Sequence, residues 1–232
     1  MWEVININKR IKKKKFKQRC NSYTTKKQRD ANKALCDCYQ FLIPRHVWTD
    51  KISWLHKPYD YTLAEDFPKG WWKAFGIQLC EELREECIKY DYLHQLRLTQ
   101  IKEKYAELRI YFGLVPVGCR VHDIVDDYSA LSRNICEYCG RPDTAMIMWC
   151  GWYTTICEDC YNKIQRRNQQ RFGHKPIAYS TWEASDPLMA NERRYTRYIP
   201  GKEKEEHVVD LTEKAEKIRA RWRASYANMS RV

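Results

Sequence analysis

The stretch CEYCGRPDTAMIMWCGWYTTICEDC, residues 136–160, holds five of the chain's eleven cysteines. Two C-x2-C pairs lie at its ends, with seventeen residues between them. Zinc prefers four thiolate or imidazole ligands in a tetrahedron, and each C-x2-C turn presents two thiolates to one ion. The spacing therefore predicts a zinc ribbon with the ligands Cys136, Cys139, Cys157 and Cys160.

Four cysteine ligands leave no open coordination position, so the predicted zinc is structural rather than catalytic. Cys150, which lies inside the loop, is an alternative ligand that would displace one of the four. Gly140 and Gly151 fall where the loop needs tight turns. The stretch is thus predicted to stabilise the local fold rather than to catalyse a reaction.

The rest of the composition favours a folded protein that is not exported. Aromatic residues make up 13% of the 232 residues and include nine tryptophans, whereas disordered chains are poor in such residues. No apolar run is long enough to span a membrane, and the basic N-terminus is not followed by the apolar segment of a secretory signal. We therefore expect reduced thiols and metal ligands rather than a disulfide framework.

Hydrophobic periodicity predicts helices at 28–43, 71–89, 121–132 and 161–172, and a last helix from about Glu203. In that last helix the apolar spacing is 3-4-3-4, at Val208, Leu211, Ala215, Ile218 and Trp222. Alternating apolar residues on both sides of Glu103-Lys104 predict two antiparallel strands. The expected fold class is α+β: a small antiparallel sheet with packed helices, a four-cysteine zinc ribbon and basic helical extensions.

The net charge of +12 is unevenly distributed along the chain: residues 1–33 carry +10, residues 34–160 carry −5 and residues 161–232 carry +7. Basic segments therefore flank a slightly acidic body. The predicted organisation is a basic N-terminal arm, an α+β body, the zinc ribbon with a following basic helix, and a C-terminal loop with an amphipathic helix. Their respective bounds are 1–33, 34–132, 133–172 and 173–232.

Three basic clusters in these flanking segments also contain aromatic residues. Lysine and arginine neutralise phosphates, and aromatic rings beside them stack on unpaired bases. We therefore expect a nucleic acid, RNA slightly more than DNA, or a nucleoprotein complex as the partner; the alternative is solvated charge. The candidate nucleic-acid-binding residues are Lys12, Lys13, Lys14, Lys15, Lys17, Arg19, Arg166, Arg167, Arg171, Arg193, Arg194 and Arg197.

No catalytic residues are predicted. The chain has no phosphate-binding glycine loop, no nucleophile elbow and no H-E-x-x-H motif. Its histidines, which are scattered, are His46, His56, His94, His122, His174 and His207. Asp123, Asp126 and Asp127 could hold Mg²⁺, but acidic first turns are common in helices. The alternative functions are a nuclease with a site assembled from scattered residues and a protein–protein interaction module.

Three stretches resemble a family of phage and prophage zinc-ribbon proteins, over about residues 69–161. They are KGWWKAFGIQLCEEL (69–83), QIKEKYAELRIYF (100–112) and CEYCGRP…GWYTTICEDC (136–160). The family pattern is a tryptophan-led helix, a strand pair similar to Q-V-K-E-K-F-G-x-L-R-F-Y, and a ribbon ending G-W-x-x-T-L-C. This sequence differs in having Tyr105-Ala106 for Phe-Gly, Cys160 for a frequent histidine, and a longer ribbon loop.

The resemblance implies a setting: a phage-encoded protein acting in the cytoplasm of a bacterial host. Phage proteins without a catalytic constellation often act by binding. A host defence complex loaded with guide RNA, such as a CRISPR effector, is one polyanionic target that the basic segments would suit. From setting and charge together we expect a non-catalytic, zinc-stabilised binder that inhibits such a complex.

Overall fold

The computed structural model describes residues 24–149, 152–173, 191–197 and 205–229. Helices are combined with three two-stranded antiparallel sheets, which confirms the predicted α+β class. The chain divides into two compact units, Met1–Leu63 and Ala64–Val232. This boundary falls inside the segment 34–132, for which the sequence predicts one body. None of the described helices combines the length and the apolar composition that crossing a membrane requires.

In the first unit, helix α1 spans Lys26–Cys38 and is followed by a 3-10 turn, Gln40–Leu42. The predicted helix continues to Ile43, but the backbone leaves the helical region at Tyr39. The loop that follows is held by Asp60, whose carboxylate accepts hydrogen bonds from three consecutive backbone N–H groups, those of Leu55, His56 and Lys57.

The second unit begins with the tryptophan-led helix, α2. It starts with α-helical Lys69–Trp71, continues through a π-helical turn at Trp72–Gly76, and ends with α-helical Ile77–Lys89. The predicted apolar face is buried, at Phe75, Leu79, Leu83 and Cys87. This face forms part of the core of the unit, in which Phe75 stacks on Tyr128 with the ring centroids 5.2 Å apart.

Strands β1 (Leu98–Lys104) and β2 (Glu107–Phe112) form the predicted hairpin, with Ile101 opposite Ile110. Helix α3, Val121–Ser132, has the predicted bounds and packs along β2. It also completes the hydrogen bonding of that strand, because the Ser132 hydroxyl accepts from the Leu108 N–H and the Ser129 hydroxyl donates to the Leu108 carbonyl. Two serines thus take the place of a third strand.

The ribbon consists of β3 (Met146–Trp149), β4 (Trp152–Thr155) and helix α4 (Glu158–Phe172). Helix α4 begins three residues before the predicted Tyr161, because Cys157 already has the extended conformation of an N-cap. Ile147, Ile156 and Tyr161 form a small apolar core around the cysteines.

The C-terminal segment corrects one prediction. The sequence predicts a last helix from about Glu203, but residues 205–210 form a strand, β6 (Glu205–Asp210), that pairs with β5 (Glu192–Arg197). Helix α5 starts only at Thr212 and ends at Met229; the Asp210 side chain accepts a hydrogen bond from the Thr212 N–H. Local spacing could not reveal the pairing with β5. Leu211, Ala215 and Ile218 are buried as the helical pattern predicted, whereas Val208 is exposed on the strand.

Candidate metal centre and basic surfaces

The first cysteine pair lies in a tight knuckle. The Gly140 N–H donates to the Cys136 carbonyl at 2.9 Å, and the Cys136 N–H donates to the Arg141 carbonyl at 2.8 Å. Gly140 has φ of +83°, a backbone conformation that a residue with a Cβ adopts only with strain. These bonds turn both thiols of the pair to the same side.

The second pair lies at the start of α4, and the two pairs meet. Cys157 is the N-cap and Cys160 lies in the first turn. The four ligand sulfurs all lie within 4.8 Å of one another, and the Cys139 and Cys157 sulfurs are 3.6 Å apart. None of the four is in a disulfide. The cysteines predicted from spacing therefore form a cluster that could hold a metal ion.

The thiols of the cluster have pKa values shifted in opposite directions. Hydrogen bonds from the Cys136 and Cys139 thiols hold the pKa of Cys157 well below its usual range. Hydrogen bonds with Cys139 and Cys157 raise the pKa of Cys136, and burial raises the pKa of Cys160 to about 12. A metal ion needs all four sulfurs as thiolates, so its binding would release the remaining protons. The donor set and its half-buried apolar surroundings fit a metal ion.

Helix α2 buttresses the first knuckle. The Gly70 N–H donates to the Glu137 carbonyl at 2.7 Å, and the buried indole N–H of Trp71 donates to the Ile135 carbonyl at 2.7 Å. A Cβ on Gly70 would lie 2.1 Å from the Cys136 carbonyl oxygen. The spacing arguments did not predict this contact, although a glycine directly before two tryptophans at a helix start is a signal for close packing.

Arg141 links the second knuckle to α5. Its guanidinium pairs with Asp159 at 2.9 Å, interacts with the Cys157 sulfur, and lies 5.6 Å from the centroid of the Trp222 ring. Two residues further on, Asp143 binds Arg219 of α5 at 2.7 Å. A cleft of about 570 Å³ beside the cysteines is lined by Arg141, Asp143, Arg219 and Trp222, among others. Arg219 and Asp143 in its wall pair with each other, and Arg141 and Arg223 pair with carboxylates beside it.

Helix α4 carries an exposed basic face. Lys163, Arg166, Arg167 and Arg171 project from it opposite the buried Tyr161 and Gln165. Among the residues that the structure describes, no carboxylate pairs with these four cations. The three arginines predicted here thus share one solvent-facing surface directly after the cysteine cluster. We call Lys163, Arg166, Arg167 and Arg171 the α4 basic face.

Arg193, another predicted nucleic-acid contact, is instead part of an internal ion-pair network. Its side chain is 12% exposed and pairs with Asp127 at 2.8 Å and with Asp123 at 3.2 Å. Asp126 lies 3.7 Å from the same guanidinium, and Lys214 binds Asp127 from the other side at 2.9 Å. This placement argues against phosphate binding by Arg193. Arg193 and Lys214 also pair with the carboxylates that the sequence suggests as a Mg²⁺ site.

The remaining predicted residues have different placements. Arg194 lies exposed on β5 and pairs with Glu192 at 3.0 Å, and Arg197 ends the same strand. Lys12, Lys13, Lys14, Lys15, Lys17 and Arg19 lie outside the described residues, as do Cys150 and His174. The structure therefore brings together the α4 residues and leaves the arm as a prediction.

The described histidines do not form a catalytic arrangement. The His122 ring packs on Phe112, 4.6 Å between centroids, and His56 contributes its backbone N–H to Asp60. The four cysteines are the one group of three or more metal-ligating side chains found within the described part of the chain. His46 and His94 lie in separate loops, far along the chain from His207 on β6.

No family model, no curated protein and no solved structure matches this chain.

Proposed function

We propose that this protein is a non-catalytic nucleic-acid-binding protein whose fold is stabilised by a zinc ion. The observation that carries the proposal is the α4 basic face. It displays four cations to solvent, with no carboxylate partner among the described residues, on a helix whose first turn belongs to the cysteine cluster. A metal-fixed helix of this kind presents its cations rigidly to a polyanion.

Zinc is the ion that the cysteines suit best. Four sulfurs at about 2.3 Å from a tetrahedral zinc lie about 3.8 Å apart. The 3.6 Å between the Cys139 and Cys157 sulfurs is close to that separation. Thiolate ligands select soft or borderline metals over Mg²⁺ and Ca²⁺. Bound zinc would join the two knuckles and fix the start of α4.

The contrast with other cations in the chain supports a binding role for the α4 basic face. Many arginines and lysines elsewhere pair with carboxylates, including Arg84 with Glu81, Arg219 with Asp143, and Lys217 with Glu213. Cations without such partners keep a counterion atmosphere of their own. On nucleic acid they replace the condensed counterions of the phosphates, and the release of those ions favours binding.

The non-catalytic part of the proposal rests on the chemistry of the cysteine cluster and of the acidic group on α3. Four cysteines close the coordination shell of the ion, so no position is open for a metal-bound water. The acidic group of α3 is occupied by Arg193 and Lys214.

A ribonucleoprotein is the partner class that the wider setting favours. The resemblance of residues 69–161 to phage proteins implies a target in a bacterial host, and a guide-RNA complex offers phosphates together with a protein surface. We therefore extend the proposal to inhibition of a host defence complex such as a CRISPR effector. The α4 basic face would contact its nucleic acid.

The test is binding to nucleic acid as a function of salt, with zinc-loaded full-length protein. The variant Arg166→Gln/Arg167→Gln/Arg171→Gln removes three cations from the α4 basic face. The control variant Arg84→Gln/Lys217→Gln/Arg223→Gln removes the same charge from positions that pair with carboxylates. Each lost phosphate contact lowers the slope of log affinity against log salt by about 0.7 to 0.9.

We expect the α4 variant to bind RNA more weakly and to lose about two slope units, while the control remains near wild type. Equal losses in both variants would indicate that only net charge matters, and would overturn the assignment to α4. Wild-type protein that binds no nucleic acid but captures a protein partner would favour the interaction-module alternative. Magnesium-dependent cleavage of the probe would favour the nuclease alternative.

A further inference from the structure

A second basic surface lies along the β1–β2 hairpin. Two adjoining clefts of about 350 and 200 Å³ share Arg109, Asp126 and Ser129 in their walls. The first cleft begins at the hairpin turn, at Tyr105, and the second ends at Arg194 on β5. We call this continuous depression between β2, α3 and β5 the hairpin groove.

Two arginines are held together in the groove by one carboxylate. Arg109 and Arg133 both pair with the same oxygen of Glu107, at 2.8 and 3.0 Å. The Glu107 side chain is 10% exposed, and its other oxygen lies 2.7 Å from the Ser129 hydroxyl, which shares its one proton between this oxygen and the Leu108 carbonyl. Because one carboxylate serves two guanidiniums, the pair keeps a net positive charge. Each guanidinium also retains further N–H donors.

The groove as a whole favours an anion. Arg193 and Asp126 in its wall pair with each other, as part of the internal network described above. The remaining charged lining residues are four cations and two carboxylates: Lys104, Arg109, Arg133 and Arg194 against Glu107 and Glu192. Arginine forks suit phosphate because two N–H groups reach two oxygens of one group.

Aromatic rings lie at the hairpin end of the groove. Tyr105 is 64% exposed and Tyr111 is 44% exposed. Lysine ammonium groups lie over both rings, Lys104 at 5.5 Å from Tyr105 and Lys102 at 4.8 Å from Tyr111. Basic and aromatic side chains therefore alternate on the outer face of the hairpin, as they do on surfaces that bind single strands.

Tyr105 has a backbone conformation that tyrosine rarely adopts. Its φ is +55°, and that of the following Ala106 is +60°, values for which turns of this kind select glycine or asparagine. Strained residues of this sort cluster at functional sites. The Tyr105 ring does not pack into the core, so core packing does not explain a tyrosine at this strained position. This points to a role for the ring at the surface.

We infer that the hairpin groove binds single-stranded nucleic acid, with phosphates at Arg109, Arg133 and Arg194 and unpaired bases against Tyr105 and Tyr111. The inference rests on the proposed nucleic-acid-binding function and specifies the form of the ligand. Paired bases turn only their edges outward, so the exposed tyrosine faces are accessible to bases that have left a duplex.

The experiment compares a labelled single-stranded RNA of about 16 nucleotides with a duplex of the same sequence, using zinc-loaded full-length protein and fluorescence anisotropy. The first variant is Tyr105→Gly, which removes the ring and relieves the backbone strain. The second is Arg133→Gln/Arg194→Gln. The control is Arg84→Gln/Lys217→Gln, which removes two cations of similar exposure outside the groove.

We expect Tyr105→Gly to weaken single-strand binding about 5-fold or more, with little change for the duplex and no fall in melting temperature. The arginine variant should lower the salt slope for the single strand by about 1.4 units. A purely structural Tyr105 would leave affinity unchanged. Wild-type single-strand affinity in both groove variants, or equal losses for single strand and duplex, would overturn the inference.

The two proposals fail in distinguishable ways. If the α4 variant abolishes binding while the groove variants bind normally, the groove inference is wrong and the proposed function stands. If the groove variants lose single-strand affinity while the α4 variant does not, the groove stands and the α4 basic face is wrong. Wild-type protein that binds neither RNA form overturns both.

Discussion

Gly70 and Cys136 lie so close that a single methyl group on Gly70 would be 2.1 Å from the Cys136 carbonyl oxygen. The same glycine donates its N–H to the Glu137 carbonyl, one residue further along the knuckle. The start of α2 is therefore packed directly on the backbone that presents the first two candidate ligands. We therefore expect folding of the helical core and metal binding by the cysteine cluster to be coupled at this contact.

Gly70→Ala should destabilise the protein and weaken its metal binding, because the Cys136, Glu137 and Gly140 backbone atoms around the added methyl cannot rotate away. We expect a loss of about 1–3 kcal/mol in the free energy of unfolding. Thermal unfolding and zinc competition with a chelator measure the two effects. Gly113→Ala is the matched control, since a Cβ there meets no atom within 4 Å; equal effects would contradict the coupling.

Cys157→Ser should release the metal and cost several kcal/mol of stability, because binding energy at a structural zinc is folding energy. Metal analysis of the purified wild type should give about one zinc per chain. Cys38→Ser is the control, since that thiol is exposed on α1 and outside the cluster. Zinc-free wild-type protein, or a Cys157→Ser variant as stable as the control, would refute the metal centre.

Cys150→Ser separates the two ligand sets that the sequence leaves open. If Cys136, Cys139, Cys157 and Cys160 hold the ion, replacing Cys150 should leave the zinc content at one per chain. The expected change in stability is then much smaller than for Cys157→Ser. A comparable loss of zinc from both variants would show that Cys150 displaces one of the four.

The ribbon and α3 could be predicted because their signals are local. C-x2-C spacing brings two thiols together within one turn, and the apolar positions of 121–132 repeat at helical period over the full length of the helix. The hairpin likewise follows from alternation around Glu103-Lys104. In each of these patterns, the residues that contact one another lie within a few positions along the chain.

The parts that sequence reasoning missed depend on partners outside the segment that was read. Arg193 pairs with carboxylates 66 and 70 residues away, so its spacing among other arginines could not distinguish an internal ion pair from a phosphate contact. Strand β6 takes its conformation from pairing with β5, which overrides the helical spacing of Val208 and Leu211. The apolar spacing within 203–222 contains no information about a strand that lies outside it.

Lys214→Met should destabilise the protein by about 1–3 kcal/mol, because Glu82 loses this ion pair and the buried Asp127 keeps only its pairing with Arg193. Lys214 binds Glu82 at 2.7 Å and Asp127 at 2.9 Å, and Asp127 is 4% exposed. The control is Lys217→Met, one turn later on α5, whose ion pair with Glu213 is exposed to solvent and should contribute little to stability. Urea unfolding measures both; similar small effects would show that the network adds little.

The Glu86 carboxylate should make stability depend on pH. It accepts a hydrogen bond from the backbone N–H of Arg120, at the start of α3, and another from Lys89. These contacts hold the pKa of Glu86 below its usual value, the Arg120 N–H contributing most. The stabilisation is therefore complete above the unfolded-state pKa of about 4.3 and is lost as pH falls through the lower folded-state pKa.

Glu86→Gln should accordingly cost about 1 kcal/mol at pH 7, because a charged acceptor is replaced by a neutral one. That cost should shrink as the pH is lowered below about 4.3, where the wild-type carboxylate becomes protonated. Urea unfolding of both proteins across this range, in excess zinc, measures the difference. Glu85→Gln, at the exposed neighbouring position, is the control. A cost for Glu86→Gln that grows towards low pH would contradict this account.

The N-terminal lysines should contribute to nucleic-acid binding through salt-dependent phosphate contacts. Replacing Lys12, Lys13, Lys14 and Lys15 together with glutamine removes four of the charges that make residues 1–33 so basic. Each phosphate contact adds about 0.9 to the salt slope on a duplex and about 0.7 on a single strand. We therefore expect a slope lower by about 3.6 units on duplex and about 2.8 units on single-stranded probe, with weaker binding at physiological salt. Unchanged affinity and slope would show that these lysines are solvated charge. Nucleic-acid binding would then depend only on the α4 basic face and the hairpin groove.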